Sequence, residues 1–183
     1  MPCLSVLVVI SMPPQIDKSS RHSKITGDFA EGLVLYWLSR HGFECARVDH
    51  TGIDLIARNP HTKELMGISV KARSRSVGTE ETNIKIDRSS VQKITAACQA
   101  FGCVPYFAIV IDAGQAIRCF IMTMAYLIEL SQKQKHLTLG LRRKDIQRYA
   151  SDNQFILFQF ESKTLRWWEP PSAPLKSIQG NSD

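Results

Sequence analysis

Two neighbouring apolar segments, residues 53–58 and 67–73, constrain the fold of this chain most strongly. Both are rich in β-branched and apolar residues, and residues 59–63 between them, Asn-Pro-His-Thr-Lys, are typical of a turn. The pattern predicts a β-hairpin that carries Asp54 on its first strand and Lys71 on its second. A carboxylate and a lysine are therefore expected close together on adjacent strands.

The second strand of this hairpin is predicted to be basic on one face. Side chains alternate between the two faces of a strand, so Ser69, Lys71, Arg73 and Arg75 are expected on the same side. A carboxylate beside a lysine at a strand end, followed by two arginines, suits metal-assisted attack on a phosphate. The carboxylate binds the metal, the lysine faces the scissile phosphate or the attacking water, and the arginines hold the nucleic-acid backbone.

The hairpin belongs to a longer set of short motifs. They are Gly-Asp-Phe-Ala-Glu-Gly at 27–32, Gly-Phe at 42–43, Gly-Ile-Asp-Leu-Ile-Ala at 52–57 and Val-Lys at 70–71. In these residues the chain resembles the PD-(D/E)XK nuclease superfamily, and within it the restriction endonuclease-like and archaeal Holliday junction resolvase-like branch. The resemblance covers residues 27–124.

The resemblance implies a restriction endonuclease-like core, an α/β fold with a mixed central β-sheet flanked by helices. It also implies a catalytic set of Glu31, Asp54 and Lys71. Mg²⁺ or Mn²⁺ would be bound by Asp54, Glu31 and the carbonyl group of Val70. Ser69 departs from the family pattern, which has Glu, Asp or Gln two residues before the lysine. Because a serine hydroxyl is a weak ligand for a hard cation, Ser69 is expected to weaken metal binding.

Further residues are expected around this site. Several basic side chains are predicted to contact DNA phosphates: Arg73, Arg75, Arg142, Arg143 and Lys144. Several branches of the superfamily place a glutamine near the metal-bound water, on the helix that follows the hairpin. Gln92 matches that glutamine by position.

Periodicity predicts the remaining elements. Helices are expected over 26–41, 90–101, 124–132 and 142–150, and strands over 43–49, 53–58, 67–73, 104–112, 116–124, 155–160 and 164–168. The first helix is predicted to bury a stripe of Phe29, Leu33, Tyr36 and Trp37, helped by Ala30 and Leu38. Phe101 is expected to face inward at the end of the second helix. This order of elements predicts a mixed sheet flanked by helices.

The length of 183 residues favours one domain. Residues 1–23 are predicted to form an extension or linker, residues 24–168 the nuclease-like domain, and residues 169–183, with their prolines and serines, a disordered tail. The apolar segment 4–12 is too short to span a bilayer, so no membrane attachment is expected.

Charge and cysteine content bear on partners and compartment. With 23 Lys and Arg against 17 Asp and Glu, the formal net charge is +6, which favours a polyanionic partner such as DNA. Five cysteines without a Cys-x-x-Cys pair predict reduced thiols and a cytoplasmic protein. The oligomeric state stays open, with a homodimer as one option.

Three functions remain open from the sequence. The first is a Mg²⁺-dependent DNA endonuclease, and the second is a nuclease-like protein that binds DNA without cutting it, which Ser69 favours. The third is a basic domain that docks an acidic protein partner. Counterion release makes DNA binding steeply dependent on salt, so salt dependence would separate the first two from the third.

Overall fold

The computed structural model describes residues 17–76, 78–131 and 136–162. Within these ranges the elements follow in the order α1 (His22–Arg40), β1 (Glu44–His50), β2 (Ile53–Arg58), β3 (Leu65–Ser74), β4 (Ile84–Ile86), α2 (Arg88–Phe101), β5 (Val104–Asp112), β6 (Ala116–Thr123), α3 (Met124–Leu130), β7 (Leu137–Leu139), α4 (Arg143–Ala150) and β8 (Ile156–Glu161). Residues 1–16 of the predicted extension or linker over 1–23, the predicted strand over 164–168 and the predicted tail over 169–183 lie outside the described residues.

Among the described residues, six strands form the central sheet, in the order β1-β2-β3-β5-β6-β8. The β3–β5 pair is parallel, and every other pair in this sheet is antiparallel. β4 and β7 pair separately as a small two-stranded sheet. The chain therefore has a mixed α/β fold with helices against a mixed central sheet, which confirms the predicted fold class.

The parallel pair in the centre is built by a β3–α2–β5 crossover. Parallel neighbours cannot be joined by a tight turn, and α2 makes the connection here. The pairing is long, running from Met66 opposite Val104 to Ser74 opposite Asp112. Since β3 and β5 run in the same direction, α2 returns antiparallel to both strands.

The two faces of the sheet bury separate apolar clusters. Met66, Ile68 and Val70 of β3 join the cluster under α1. The intervening residues of β3 face α2, because a methyl group built on Gly67 would lie 2.6 Å from Cys98 Sγ, and Cys98 is on α2. By alternation, Ser69 and Lys71 share the α2 side of the sheet.

The buried face of α1 agrees with the prediction at Ala30 and Leu38 and differs from it at Phe29 and Tyr36. The fully buried residues are Ala30, Val34 and Leu38, whereas Phe29 and Tyr36 are 47% and 52% exposed. The helix also begins at His22, four residues before the predicted start. It carries apolar residues on two opposite sides, and the sheet buries the side with smaller residues.

Three other predictions were wrong in detail. Phe101, expected to face inward, is 41% exposed at the end of α2. Neither β4 nor β7 was predicted as a strand. Both strands are only three residues long. Among the described residues, no helix is both long and apolar enough to cross a membrane.

Candidate active site

Asp54 lies where the β2–β3 pairing ends. The register runs from Arg58 opposite Leu65 to Leu55 opposite Ile68. One residue further along, Asp54 Oδ2 accepts the backbone N–H of Val70 at 2.6 Å. The carboxylate thus accepts the N–H that has no partner on β2. This hydrogen bond fixes Asp54 at the opening, which is the gap between β2 and β3 beyond their last paired residues, Leu55 and Ile68.

Ser69 lies between Asp54 and Lys71. Its side chain is buried, with 3% exposure of the residue. Lys71 Nζ donates to Ser69 Oγ at 2.8 Å, and the same hydroxyl makes a long contact of 3.5 Å to Asp54 Oδ2. The serine hydroxyl connects the lysine to the aspartate, at the place where the superfamily pattern has a metal-binding side chain.

Glu31 lies on α1, within electrostatic range of Asp54. Burial and the Asp54 charge raise the pKa of Glu31, while the neighbouring Arg47 opposes the shift. Arg47 Nε lies 3.7 Å from Glu31 Oε2, and its Nη2 donates to the carbonyl oxygen of Asp28 at 3.1 Å. The structure therefore brings Glu31 close enough to Asp54 for the two carboxylates to repel each other.

Lys71 is a partly buried ammonium group. Burial lowers its pKa, the Asp54 and Glu31 carboxylates oppose that change, and the charges of Arg73 and Lys93 add to it. A lowered pKa brings the amine nearer to the range in which a lysine can exchange protons with a bound water. The four predicted residues Glu31, Asp54, Ser69 and Lys71 thus lie around one opening.

A divalent cation fits the donors at this opening only with help from water. No group of three or more His, Cys, Asp or Glu side chains suited to a metal occurs in the described part of the chain. Mg²⁺ is nevertheless commonly held by one or two carboxylates, with water completing its shell. Two repelling carboxylates, Glu31 and Asp54, are a suitable pair, because a cation between them would relieve the repulsion that raises the Glu31 pKa.

The two arginines that follow Lys71 have different surroundings. Arg73 is exposed, and its Nη1 donates only to the neighbouring carbonyl of Ala72 at 2.7 Å. Arg75 instead donates through Nη2 to the carbonyl of Thr82 at 2.7 Å, and its buried Nε has no hydrogen-bond partner among the described residues. Arg75 therefore anchors the loop that follows β3, a role the sequence did not indicate.

The other predicted residues are not seen in contact with Asp54, Ser69 or Lys71 within the described part of the chain. Arg142 precedes α4, with its Nε 3.8 Å from Asp145 Oδ2, and Lys144 is exposed in the first turn of that helix. Arg143 lines a cleft of about 380 Å³ with Glu80, Glu81, Arg118, Leu141, Ile146 and Gln147. Gln92 is exposed on α2. DNA contact by these residues stays a prediction.

Two residues near the site were not predicted, Arg47 and Lys93. Arg47 lies on β1 and reaches α1, and Lys93 lies on α2. Each is an isolated cation in the sequence, without a motif around it, so only the packing of the helices against the sheet relates them to Glu31 and Lys71.

Comparison with known proteins gives a structural likeness. No protein-family model and no curated protein matches the chain. Among solved structures, the chain is similar to Archaeoglobus fulgidus Hjc, a Holliday junction resolvase from an archaeal hyperthermophile. The TM-score is 0.44 and the identity 19%, over 60% of this chain and 86% of that one. A likeness at this level does not assign a function to this chain.

Proposed function

We propose that this protein is a metal-dependent DNA endonuclease with a restriction endonuclease-like core, hydrolysing phosphodiester bonds with Mg²⁺ or Mn²⁺. The observation that supports it is the convergence of Asp54, Ser69 and Lys71 with Glu31 at the open end of β2 and β3. A net charge of +6 is consistent with a polyanionic substrate.

Each residue has a distinct role in this proposal. Asp54, Glu31 and the carbonyl of Val70 would hold the metal, which supplies a Lewis acid for the phosphate oxygen and a more acidic water. Lys71 would orient or deprotonate the attacking water and stabilise charge on the phosphate, since its lowered pKa makes proton exchange easier. The exposed Arg73 would bind the DNA backbone next to the scissile bond.

A second candidate, DNA binding without cleavage, is favoured by Ser69. Its hydroxyl is already bonded to Lys71 at 2.8 Å and is a weak ligand for a hard cation. A site with two carboxylates and no third acidic ligand could bind the metal too weakly to act. DNA would still be held by the basic residues.

The test is an assay on supercoiled plasmid, linear duplex, flap and four-way junction DNA, with Mg²⁺, Mn²⁺ or EDTA. Wild type is expected to cut at least one substrate only with metal, and Asp54→Asn is expected to be inactive. Glu44→Gln is the matched control. Glu44 lies opposite Arg58 in the register of β1 and β2, at the end of β2 that is away from Asp54.

The outcomes separate the candidates. Metal-dependent cleavage that Asp54→Asn abolishes and Glu44→Gln retains supports the endonuclease. DNA binding with steep salt dependence and no cleavage indicates the non-cleaving protein. Binding that is independent of salt, or absent, contradicts both and leaves a protein-interaction domain.

A further inference from the structure

The helix α2 runs along the face of the sheet that carries Ser69 and Lys71. Cys98 of α2 lies over Gly67, with its Sγ 3.8 Å from the Gly67 carbonyl oxygen. Because α2 is antiparallel to β3, moving back along α2 corresponds to moving forward along β3. Lys93 is five residues before Cys98, or about 7.5 Å along the helix, and Ser69 lies about 6.6 Å beyond Gly67.

A glycine fixes the same part of α2 from a second direction. Gly52, in the turn before β2, has φ +111°, and a methyl group built on it would overlap the Lys93 carbonyl oxygen. The turn at Gly52, two residues before Asp54, therefore packs directly on the backbone of α2 at Lys93. β3 and the β1–β2 turn independently place Lys93 beside the opening.

The ammonium group of Lys93 is available for a ligand. Its side chain is exposed, and within the part of the chain that the structure describes no carboxylate lies at ion-pair distance from it. Lys71 and Lys93 are two cations beside the same opening, and a bound anion would relieve the repulsion between them.

We propose that Lys93 binds a DNA phosphate next to the scissile one, so that α2 and β3 hold the substrate backbone between Lys93 and Lys71. This inference rests on the proposed DNA-directed function and adds a contact that neither the motif nor the likeness to a resolvase supplies. Lys93 is in this view a substrate-binding residue, whereas Lys71 acts on the reacting phosphate.

The expected effect follows from counterion release. One lost phosphate contact lowers the slope of log affinity against log salt by about 0.9, which corresponds to about eightfold weaker binding near 0.1 M salt and about fourfold near 0.2 M. In cleavage, KM should rise by a similar factor while kcat stays near that of wild type, because a contact made equally in the ground and transition states does not change kcat.

The experiment measures binding of a fluorescein-labelled duplex and four-way junction over a series of salt concentrations in EDTA. Lys93→Gln removes the charge, Lys93→Arg keeps it, and Lys63→Gln removes a lysine from the turn at the far end of β2 and β3. Lys93→Gln should show the smaller slope, and the other two should behave like wild type. Urea unfolding of each variant confirms that folding is unchanged.

The results distinguish the two proposals. If wild type binds and cuts DNA but Lys93→Gln keeps the wild-type slope and affinity, the inference about Lys93 is wrong and the endonuclease stands. If Lys93→Arg loses as much as Lys93→Gln, the effect is not one of charge and the inference is also wrong. If wild type shows no salt-dependent binding to either probe, both proposals are wrong.

Discussion

Replacing Asp54 by asparagine or by alanine should separate the structural role of this carboxylate from its proposed metal-binding role. Asparagine keeps an acceptor for the Val70 N–H, whereas alanine leaves that buried donor without a partner. Both substitutions remove the negative charge and the repulsion with Glu31. The difference between the two variants therefore isolates the hydrogen bond.

The difference in stability between the two variants follows from the cost of leaving the Val70 N–H unpaired. A partly buried N–H that loses its acceptor costs about 1–3 kcal/mol, and the neutral acceptor of asparagine avoids most of this cost. Asp54→Ala should therefore be less stable than Asp54→Asn by about 1–2 kcal/mol. For a chain of this length that difference lowers the melting temperature by about 2–8 °C.

The assay has two parts. Urea unfolding in EDTA gives the free energies of unfolding, and calorimetric titration with Mn²⁺ gives metal affinity. We expect both variants to lose metal binding and cleavage and only the alanine variant to lose appreciable stability. Equal stability of the two variants would refute the structural role of the 2.6 Å hydrogen bond. Metal binding like that of wild type in Asp54→Asn would refute the assignment of the metal site.

Three further predictions concern neighbouring residues. Ser69→Glu should tighten Mn²⁺ binding in calorimetry and preserve or raise cleavage, and unchanged affinity would indicate that the new carboxylate pairs with lysine instead. Glu31→Gln should be more stable than wild type at pH 7 but not at pH 3. Because the pKa of Glu31 is higher in the folded protein than in the unfolded chain, the stability of wild type falls as the pH rises from the unfolded-state pKa through the folded-state pKa. The metal affinity of this variant should also drop. Gly67→Ala should cost about 1–3 kcal/mol in urea unfolding, since its methyl group would lie 2.5 Å from Cys103 Sγ, and Cys103→Ala should recover part of that loss; additive effects would contradict the packing argument.

Local patterns predicted the central elements well. β5, over Val104–Asp112, has the predicted bounds, and the hairpin of β2 and β3 was expected because each strand is apolar and bounded by turn residues. The burial of α1 was harder to predict. Ile25, Phe29 and Tyr36 form one apolar side and Ala30, Val34 and Leu38 the opposite side, so periodicity alone does not decide which side meets the sheet.

The small strands and part of the site depend on tertiary structure. β4 and β7 are three residues each and pair with each other from distant parts of the chain, which leaves little local signal. The Asp54–Lys71 pair could be predicted because both residues belong to one hairpin. The positions of Arg47 and Lys93 depend on how β1 and α2 pack, and the anchoring of the loop by Arg75 depends on contacts made within that loop.

The hydrogen bond between Asp54 and the Val70 amide makes that amide a spectroscopic reporter. The pairing of β2 with β3 ends at Ile68, and the Val70 amide beyond it donates to a side chain instead of a strand. Its exchange with deuterium therefore follows the carboxylate rather than the opening of the sheet. A cation that draws electron density from Asp54 weakens this bond and shifts the proton resonance of Val70, so NMR can follow metal loading at a single residue without DNA.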